Sequence, residues 1–179
     1  MVIAAKMKRE RNIMDILFRA KRKDTKEWVC WNVFGQIVCD DGKAFNFVTY
    51  GGVNYWNIVD LIPLLIPETV GQWTGVKDEE GDKIFKGHIV VYKKTKYEVT
   101  ECYGAFLLVR VDGEGIDYDD FPQSIFPCGS SVTEFVGLKN DWCVSFFELM
   151  DNQQDFEGCL DCKIVGSIHD NPELMEDTK

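Results

Sequence analysis

The chain is poor in the residues and motifs on which most enzymes depend. It has two histidines among 179 residues, His88 and His169. It contains no Gly-x-Ser-x-Gly nucleophile turn, no phosphate-binding glycine loop, no HExxH zinc motif and no GxGxxG dinucleotide fingerprint. Each histidine is more typical of a structural or exposed side chain than of a catalyst. The sequence therefore favours a protein that is not an enzyme and that needs no cofactor.

Long apolar runs are also missing. A membrane-spanning helix needs about 20 consecutive apolar residues. The longest apolar run, 58–66, is interrupted by Asp60 and Pro63. The N-terminus places its apolar residues before its charges, which is the reverse of a secretory signal. These features predict a cytoplasmic protein with no membrane partner.

The cysteines do not form a disulfide or metal framework. There are seven of them, an odd number at irregular spacing, which favours reduced thiols packed as small apolar groups. Cys159 and Cys162 form one CxxC pair, and a closed zinc site needs four ligands. No second CxxC is present, and a redox motif would open a helix, whereas this one leads into a predicted strand. The pair is therefore a weak metal candidate.

Charge is distributed unevenly along the chain. The net charge is −10, but residues 1–26 carry nine Lys or Arg against three acids. An acidic body repels nucleic acid and suits basic proteins, whereas a basic arm can contact phosphate or the acidic face of another subunit. A solvated tail is the other interpretation of the arm. The candidate interaction residues are Lys6, Lys8, Arg9, Arg11, Arg19, Lys21, Arg22 and Lys23.

Composition and pattern predict a mainly β fold, with α+β as the alternative. Hydrophobic residues make up 45% of the chain and aromatic residues 13%, which is typical of one globular domain. Apolar and polar residues alternate over 16–21, and a polar turn at 23–26 precedes the aromatic, β-branched stretch 27–33. We expect an antiparallel meander, or a small SH3-like barrel or half-barrel, with one or two short helices.

The second half of the chain carries the clearest strand signals. Three strands with short turns are predicted at 88–92, 97–103 and 105–111, and a closing strand at 163–168. The segment 57–65 is compatible with a short helix or a buried strand. A helix start is predicted near the C-terminus, with Asn171 as N-cap and Pro172 at the first helical position.

Three separated segments together resemble one family. They are Met14-Asp15-Ile16-Leu17-Phe18-Arg19-Ala20, the block 71–90 that begins Gly-Gln-Trp-Thr-Gly, and the block 164–175 that ends Asn-Pro-Glu-Leu-Met. In this order they resemble the YopX family of phage and prophage proteins. The resemblance implies that residues 1–13 are a basic, flexible extension, that 14–175 form one β-rich domain, and that 176–179 fray.

The residues that match the family are of types that shape the backbone. They are Trp73, Gly75, Gly81, Gly87, Asn171 and Pro172. Glycines at turns and a proline at a helix start define backbone shape and supply no catalyst. The chain departs from the resemblance at His88, where relatives usually carry Asp.

The sequence thus predicts a phage or prophage accessory protein that acts as a non-enzymatic interaction or assembly module. The expected partners are further copies of itself in a homo-oligomer and a host or phage protein. Nucleic-acid binding through the basic arm is the alternative. A metal-dependent enzyme centred on Cys159 and Cys162 is the least favoured hypothesis.

Overall fold

The computed structural model describes residues 16–39, 43–45, 48–50, 53–55, 57–102, 104–111, 143–146, 149–150, 153 and 158–176. The strands within these ranges are β1 (Leu17–Lys21), β2 (Trp28–Asn32), β3 (Ile37–Val38), β4 (Ala44–Phe45), β5 (Val48–Tyr50), β6 (Val53–Tyr55), β7 (Gly71–Lys77), β8 (Lys83–Phe85), β9 (His88–Tyr92), β10 (Thr95–Cys102), β11 (Ala105–Arg110), β12 (Cys143–Ser145) and β13 (Cys162–Ser167). The helices whose bounds the described residues give are α1 (Asn57–Leu61) and the 3-10 turns Ile62–Leu64, Pro67–Thr69 and Pro172–Met175.

The first sheet has six strands in the order β4-β3-β2-β1-β7-β8. Its β1–β2 hairpin is antiparallel from Leu17 opposite Asn32 to Lys21 opposite Trp28. One face of this sheet packs against the helical segment: Ala20, Val29 and Ile37 form a buried cluster with Ile58, Leu61 and Leu65. Because side chains alternate along a strand, the intervening residues of β1 face the other side.

The second sheet has five strands in the order β12-β11-β10-β9-β13. Strands β9, β10 and β11 form the predicted meander, and β13 pairs antiparallel with β9 as the closing strand. The core of this sheet contains Val90, Tyr97, Val99, Leu108 and Leu160, which are all buried. The three-strand prediction for 88–111 is therefore confirmed to within two residues at each boundary.

The mainly β prediction is confirmed, and the arrangement is two large open sheets with a separate antiparallel pair, β5 and β6, and not a closed barrel. Within the described ranges the sheets end at the edge strands β4 and β8, and at β12 and β13. The chain passes from β8 to β9 through Lys86 and Gly87, yet these two strands belong to different sheets. The turn therefore transfers the chain between sheets and does not add a strand to one. The ambiguous segment 57–65 is helical, with α1 followed directly by a 3-10 turn.

The described residues contain no helix with the length and apolar character needed to cross a bilayer. The predicted helix start at the C-terminal end is a 3-10 turn with Pro172 in its first turn. Asn171 precedes it but makes no capping hydrogen bond through its side chain. Its Oδ1 instead lies 3.4 Å from the backbone N of Ser167, so the side chain faces back toward β13.

Candidate binding cleft

A cleft of about 620 Å³ lies where the second face of the first sheet meets two strands of the second sheet. Strands β1, β2, β3 and β8 supply one side of it, and His88 of β9 and Ile164 of β13 supply the other. Its walls are mostly apolar and include Leu17 and Val38. The charged groups that line it are Arg19, Lys83 and Asp82.

Arg19 reaches this cleft because of the alternation in β1. Ala20 packs against the helical segment, so Arg19 is directed to the opposite face, beside Cys30, its register partner on β2. The guanidinium carbon lies 4.1 Å from the ring centroid of Trp28 and 4.7 Å from that of Phe85. The cation is thus in contact with two aromatic rings, one from β2 and one from β8.

The guanidinium of Arg19 has an unusual hydrogen-bond state. Its Nε and Nη2 atoms are buried and have no acceptor among the residues that the structure describes. Burial lowers the pKa of Arg19 to about 10, against smaller opposing effects of Cys30 and Asp170. The group is still cationic at neutral pH. A buried cation without an acceptor loses hydration that it does not regain from the protein, so an anion that entered the cleft would be stabilised there.

His88 is the second polar group of the cleft. It is 7% exposed, and its Nδ1 accepts a long hydrogen bond of 3.3 Å from the backbone N–H of Phe85. Burial, and then the charge of Arg19, lower the pKa of His88 to about 3. The imidazole is therefore neutral at physiological pH, with its proton on Nε2. It adds a hydrogen-bond donor to the cleft without adding a charge.

Asp170 holds Trp28 in place beside Arg19. Its Oδ2 accepts hydrogen bonds from Trp28 Nε1 at 3.0 Å and from Ser167 Oγ at 2.8 Å, and its Oδ1 pairs with the ammonium of Lys21. Burial acts to raise the pKa of Asp170, but the hydrogen bonds from Lys21, Ser167 and Trp28 together keep it below its ordinary value. This carboxylate joins the β1–β2 hairpin to the end of β13.

Three other basic residues of the predicted interaction surface, Lys21, Arg22 and Lys23, have protein partners. Lys21 pairs with Asp170, and Lys23 Nζ donates to the carbonyl of Pro63 at 3.0 Å. Arg22 donates from Nε and Nη2 to the two carboxylate oxygens of Asp24, at 2.9 and 2.5 Å. Lys6, Lys8, Arg9 and Arg11 lie outside the described residues. Nucleic-acid contact by the arm stays a prediction.

The cysteine pair is placed poorly for metal binding. Cys162 is 2% exposed, and burial, followed by the carboxylates of Asp78, Glu79 and Asp161, raises the pKa of its thiol to about 12. Metal ligation requires the thiolate. Across the residues that the structure describes, Cys159 and Cys162 do not meet a third histidine, cysteine or carboxylate ligand.

The structure does bring together three carboxylates in the β7–β8 turn, Asp78, Glu80 and Asp82, with oxygens within 4.8 Å of one another. Asp78 is 1% exposed and already accepts three backbone hydrogen bonds, from Glu80, Asp82 and Ile164. Glu80 pairs with Lys163. The cluster therefore shapes the turn and ties it to β13.

Several of the family-like residues shape the backbone of the strands and turns. Gly75, Gly81 and Gly87 have φ values of 86°, 91° and 82°, a region that side chains with a Cβ rarely adopt. Gly87 connects β8 and β9, and its N–H donates to the carbonyl of Val99 at 2.7 Å. Trp73 donates through Nε1 to the carbonyl of Val76 at 2.9 Å. These contacts set the backbone from which Phe85 and His88 reach the cleft.

The sequence did not point to the cleft itself. Arg19 was among the predicted interaction residues, but for its place in a basic arm. Trp28 and Phe85 looked like ordinary core aromatics. The one usable signal in the sequence was His88, because a histidine in this apolar strand departs from the family pattern. In the structure His88 and Arg19 line the same cleft.

Comparison with known proteins gives three findings. A family model described as "YopX protein" matches residues 17–176. No curated protein matches the chain. Among solved structures, the crystal structure of protein EF1440 from Enterococcus faecalis is similar, with 21% sequence identity and a TM-score of 0.41. That alignment covers 90% of this chain and 98% of the other chain.

Proposed function

The chain belongs to the YopX family, and on that premise we propose that it is a non-enzymatic interaction module that captures an acidic group of its partner at Arg19. The observation that carries the proposal is the state of the Arg19 guanidinium. Two of its nitrogens are buried without an acceptor, and the group lies against the rings of Trp28 and Phe85. A carboxylate or another oxyanion would supply the missing acceptors through charge-assisted hydrogen bonds.

The chemistry of the cleft supports binding more than catalysis. A general base needs a basic atom that is free to accept the proton of a nucleophile. The Nδ1 atom of His88 is occupied by the Phe85 N–H, and the low pKa of His88 makes it a poor base. A preorganised cation between aromatic rings is instead typical of sites that hold an anion in one orientation.

The wider role in this proposal is that of a phage or prophage accessory protein that forms a homo-oligomer. Family membership supports the first part. The second is supported by the edge strand β4, which ends the first sheet within the described residues and could pair with a strand of a second copy. Size-exclusion chromatography with light scattering tests it. A monomeric mass at high protein concentration would contradict the oligomer and leave the cleft proposal in place.

The cleft proposal is tested by thermal unfolding in acetate or sulfate against chloride at constant ionic strength. Saturable binding at Arg19 predicts a melting temperature that rises with oxyanion concentration, by the equivalent of about 2.7 kcal/mol at 100 times Kd. Arg19→Met should lose the rise. Lys93→Met removes one cation at the exposed β9–β10 turn and should retain it. An equal rise in wild type and Arg19→Met would overturn the proposal.

A further inference from the structure

We infer that the ligand of the cleft is a carboxylate attached to an apolar body. This inference deepens the proposed function and rests on it: the function requires an anion at Arg19, and the inference names the chemistry of the molecule that carries the anion. Three features of the cleft support it, namely its size and walls, its charge, and the direction from which Arg19 can be approached.

The size and the apolar walls of the cleft indicate a ligand that is larger than a simple anion. A volume of about 620 Å³ is in the range of pockets for drug-sized ligands and far exceeds a bare carboxylate or phosphate. Leu17, Val38 and Ile164 supply apolar surface on opposite sides of the space. Burying an apolar group against such walls is favourable in proportion to the area removed from water. The ligand should therefore extend from Arg19 as an apolar chain or ring.

The charge of the cleft suits one negative charge and not two. Arg19 and Lys83 are positive, Asp82 is negative and His88 is neutral, which leaves a balance of one positive charge. Asp82 also lies in the carboxylate cluster with Asp78 and Glu80, so this end of the cleft repels further negative charge. A monoanionic carboxylate is compensated there, whereas a dianionic phosphate ester carries one charge in excess.

The rings around Arg19 restrict how an anion can approach it. Trp28 and Phe85 both lie within cation–π distance of the guanidinium, so the open approach is in its plane. The nitrogens that lack an acceptor among the described residues are Nε and Nη2, which form one side of the guanidinium. A planar carboxylate that approaches this side can bond both nitrogens together and give each the acceptor that it lacks. The Nε2–H of His88 is available as a further donor.

The experiment is isothermal titration calorimetry of the full chain with acetate, butyrate, hexanoate and octanoate. Affinity should rise about fourfold for each methylene group that becomes buried. Octanol, with the same chain but no charge, should bind at least tenfold more weakly than octanoate. Octyl phosphate should also bind more weakly than octanoate because of its second charge.

Two variants test separately how the cleft recognises the carboxylate and the apolar part of the ligand. Arg19→Met should abolish the preference for octanoate over octanol. Val38→Ser should reduce the gain in affinity that wild type shows between acetate and octanoate. Its matched control is Val59→Ser on α1, a residue that is 64% exposed and does not line the cleft, and this variant should bind octanoate like wild type.

The outcomes distinguish this inference from the function on which it rests. If acetate binds through Arg19 and octanoate binds no better, or octyl phosphate binds as tightly as octanoate, the inference is overturned and the proposed function survives. If no carboxylate binds, both are overturned.

A short apolar peptide with a free C-terminal carboxylate, compared with its C-terminal amide, identifies the source of the carboxylate. Peptide binding that is tighter than octanoate binding and is lost in the amide supports a protein C-terminus. Weaker peptide binding supports a free organic acid.

Discussion

Arg22 and Arg19 lie three residues apart, on opposite sides of the first sheet, and their surroundings differ in one respect. Arg22 is 2% exposed at the end of β1, and its guanidinium is bound by both carboxylate oxygens of Asp24. Arg19 is directed into the cleft, where it contacts two aromatic rings and where two of its nitrogens have no acceptor. The buried Arg22 is paired with a carboxylate within the fold, whereas the half-buried Arg19 is stacked against aromatic rings.

The difference shows how the same residue type can serve structure at one position and binding at another. The partner of Arg22 is two residues away in the same turn, so local folding alone brings the pair together. The surroundings of Arg19 come from β2 and β8, and they orient the cation without neutralising it. A cation that is positioned in this way retains its attraction for an anion from outside the chain.

The largest effect on stability is expected when the ion pair between Arg22 and Asp24 is removed. Asp24→Ala leaves the buried Arg22 guanidinium without the two oxygens that now bind it, and loss of one partner of a buried charge is strongly destabilising. Urea unfolding should show a loss several times that of Glu68→Ala, an exposed control expected to change stability by no more than about 0.5 kcal/mol. Equal losses would show that Arg22 does not depend on Asp24.

Lowering the pH should lower the free energy of unfolding because His88 is held neutral in the folded state. Its pKa is about 3 in the folded state against 6.5 for an exposed histidine, so the unfolded chain binds more protons between these values. The contribution to stability is therefore complete above pH 6.5 and is lost as the pH falls toward 3, with a slope that approaches about 1.4 kcal/mol per pH unit. Unfolding midpoints from pH 7 to pH 4 should show a shallower decline in His88→Gln. His169→Gln, at a less buried site, should decline almost like wild type.

On the stacked side, Arg19→Met should change the free energy of unfolding by no more than about 1 kcal/mol. The variant loses contacts with Trp28 and Phe85, but it also removes the cost of burying a cation without acceptors, and the two effects oppose each other. Urea unfolding checks this directly. A loss as large as that of Asp24→Ala would mean that Arg19 is structural like Arg22, and the contrast between the two would fail.

The smallest effect is expected when Trp28, one of the two rings that contact Arg19, is held less firmly. Asp170→Asn replaces the carboxylate that accepts hydrogen bonds from Trp28 and Ser167, so Trp28 is less firmly held beside Arg19. Affinity for octanoate should fall by about fivefold, which corresponds to one ordinary hydrogen bond. Asp161→Asn, on an exposed residue outside the cleft, is the control. An unchanged affinity in Asp170→Asn would show that Trp28 keeps its position without this carboxylate.

The sequence predicted local structure better than it predicted the site. Strands β9, β10, β11 and β13 were found from alternation and turn residues, because these signals act over a few neighbouring positions. The placement of the strands in two open sheets was not, since strand pairing over long separations leaves no periodic trace. The cleft depends on that pairing: Arg19 meets Phe85 and His88 only after β1 has paired with β7. Cys159 and Cys162 drew attention through their spacing, and metal binding by this pair stays a prediction.

The hydrogen bonds of Asp170 affect when, during synthesis, the cleft is complete. Asp170 is separated from Lys21 by 149 positions and from Trp28 by 142. A ribosome releases the β1–β2 hairpin first, and the carboxylate that orients Trp28 emerges 142 positions after Trp28 itself. We therefore expect a nascent or truncated chain to carry Arg19 without a finished cleft. A chain whose synthesis has not yet passed Asp170 should therefore bind the ligand more weakly than a copy that contains it.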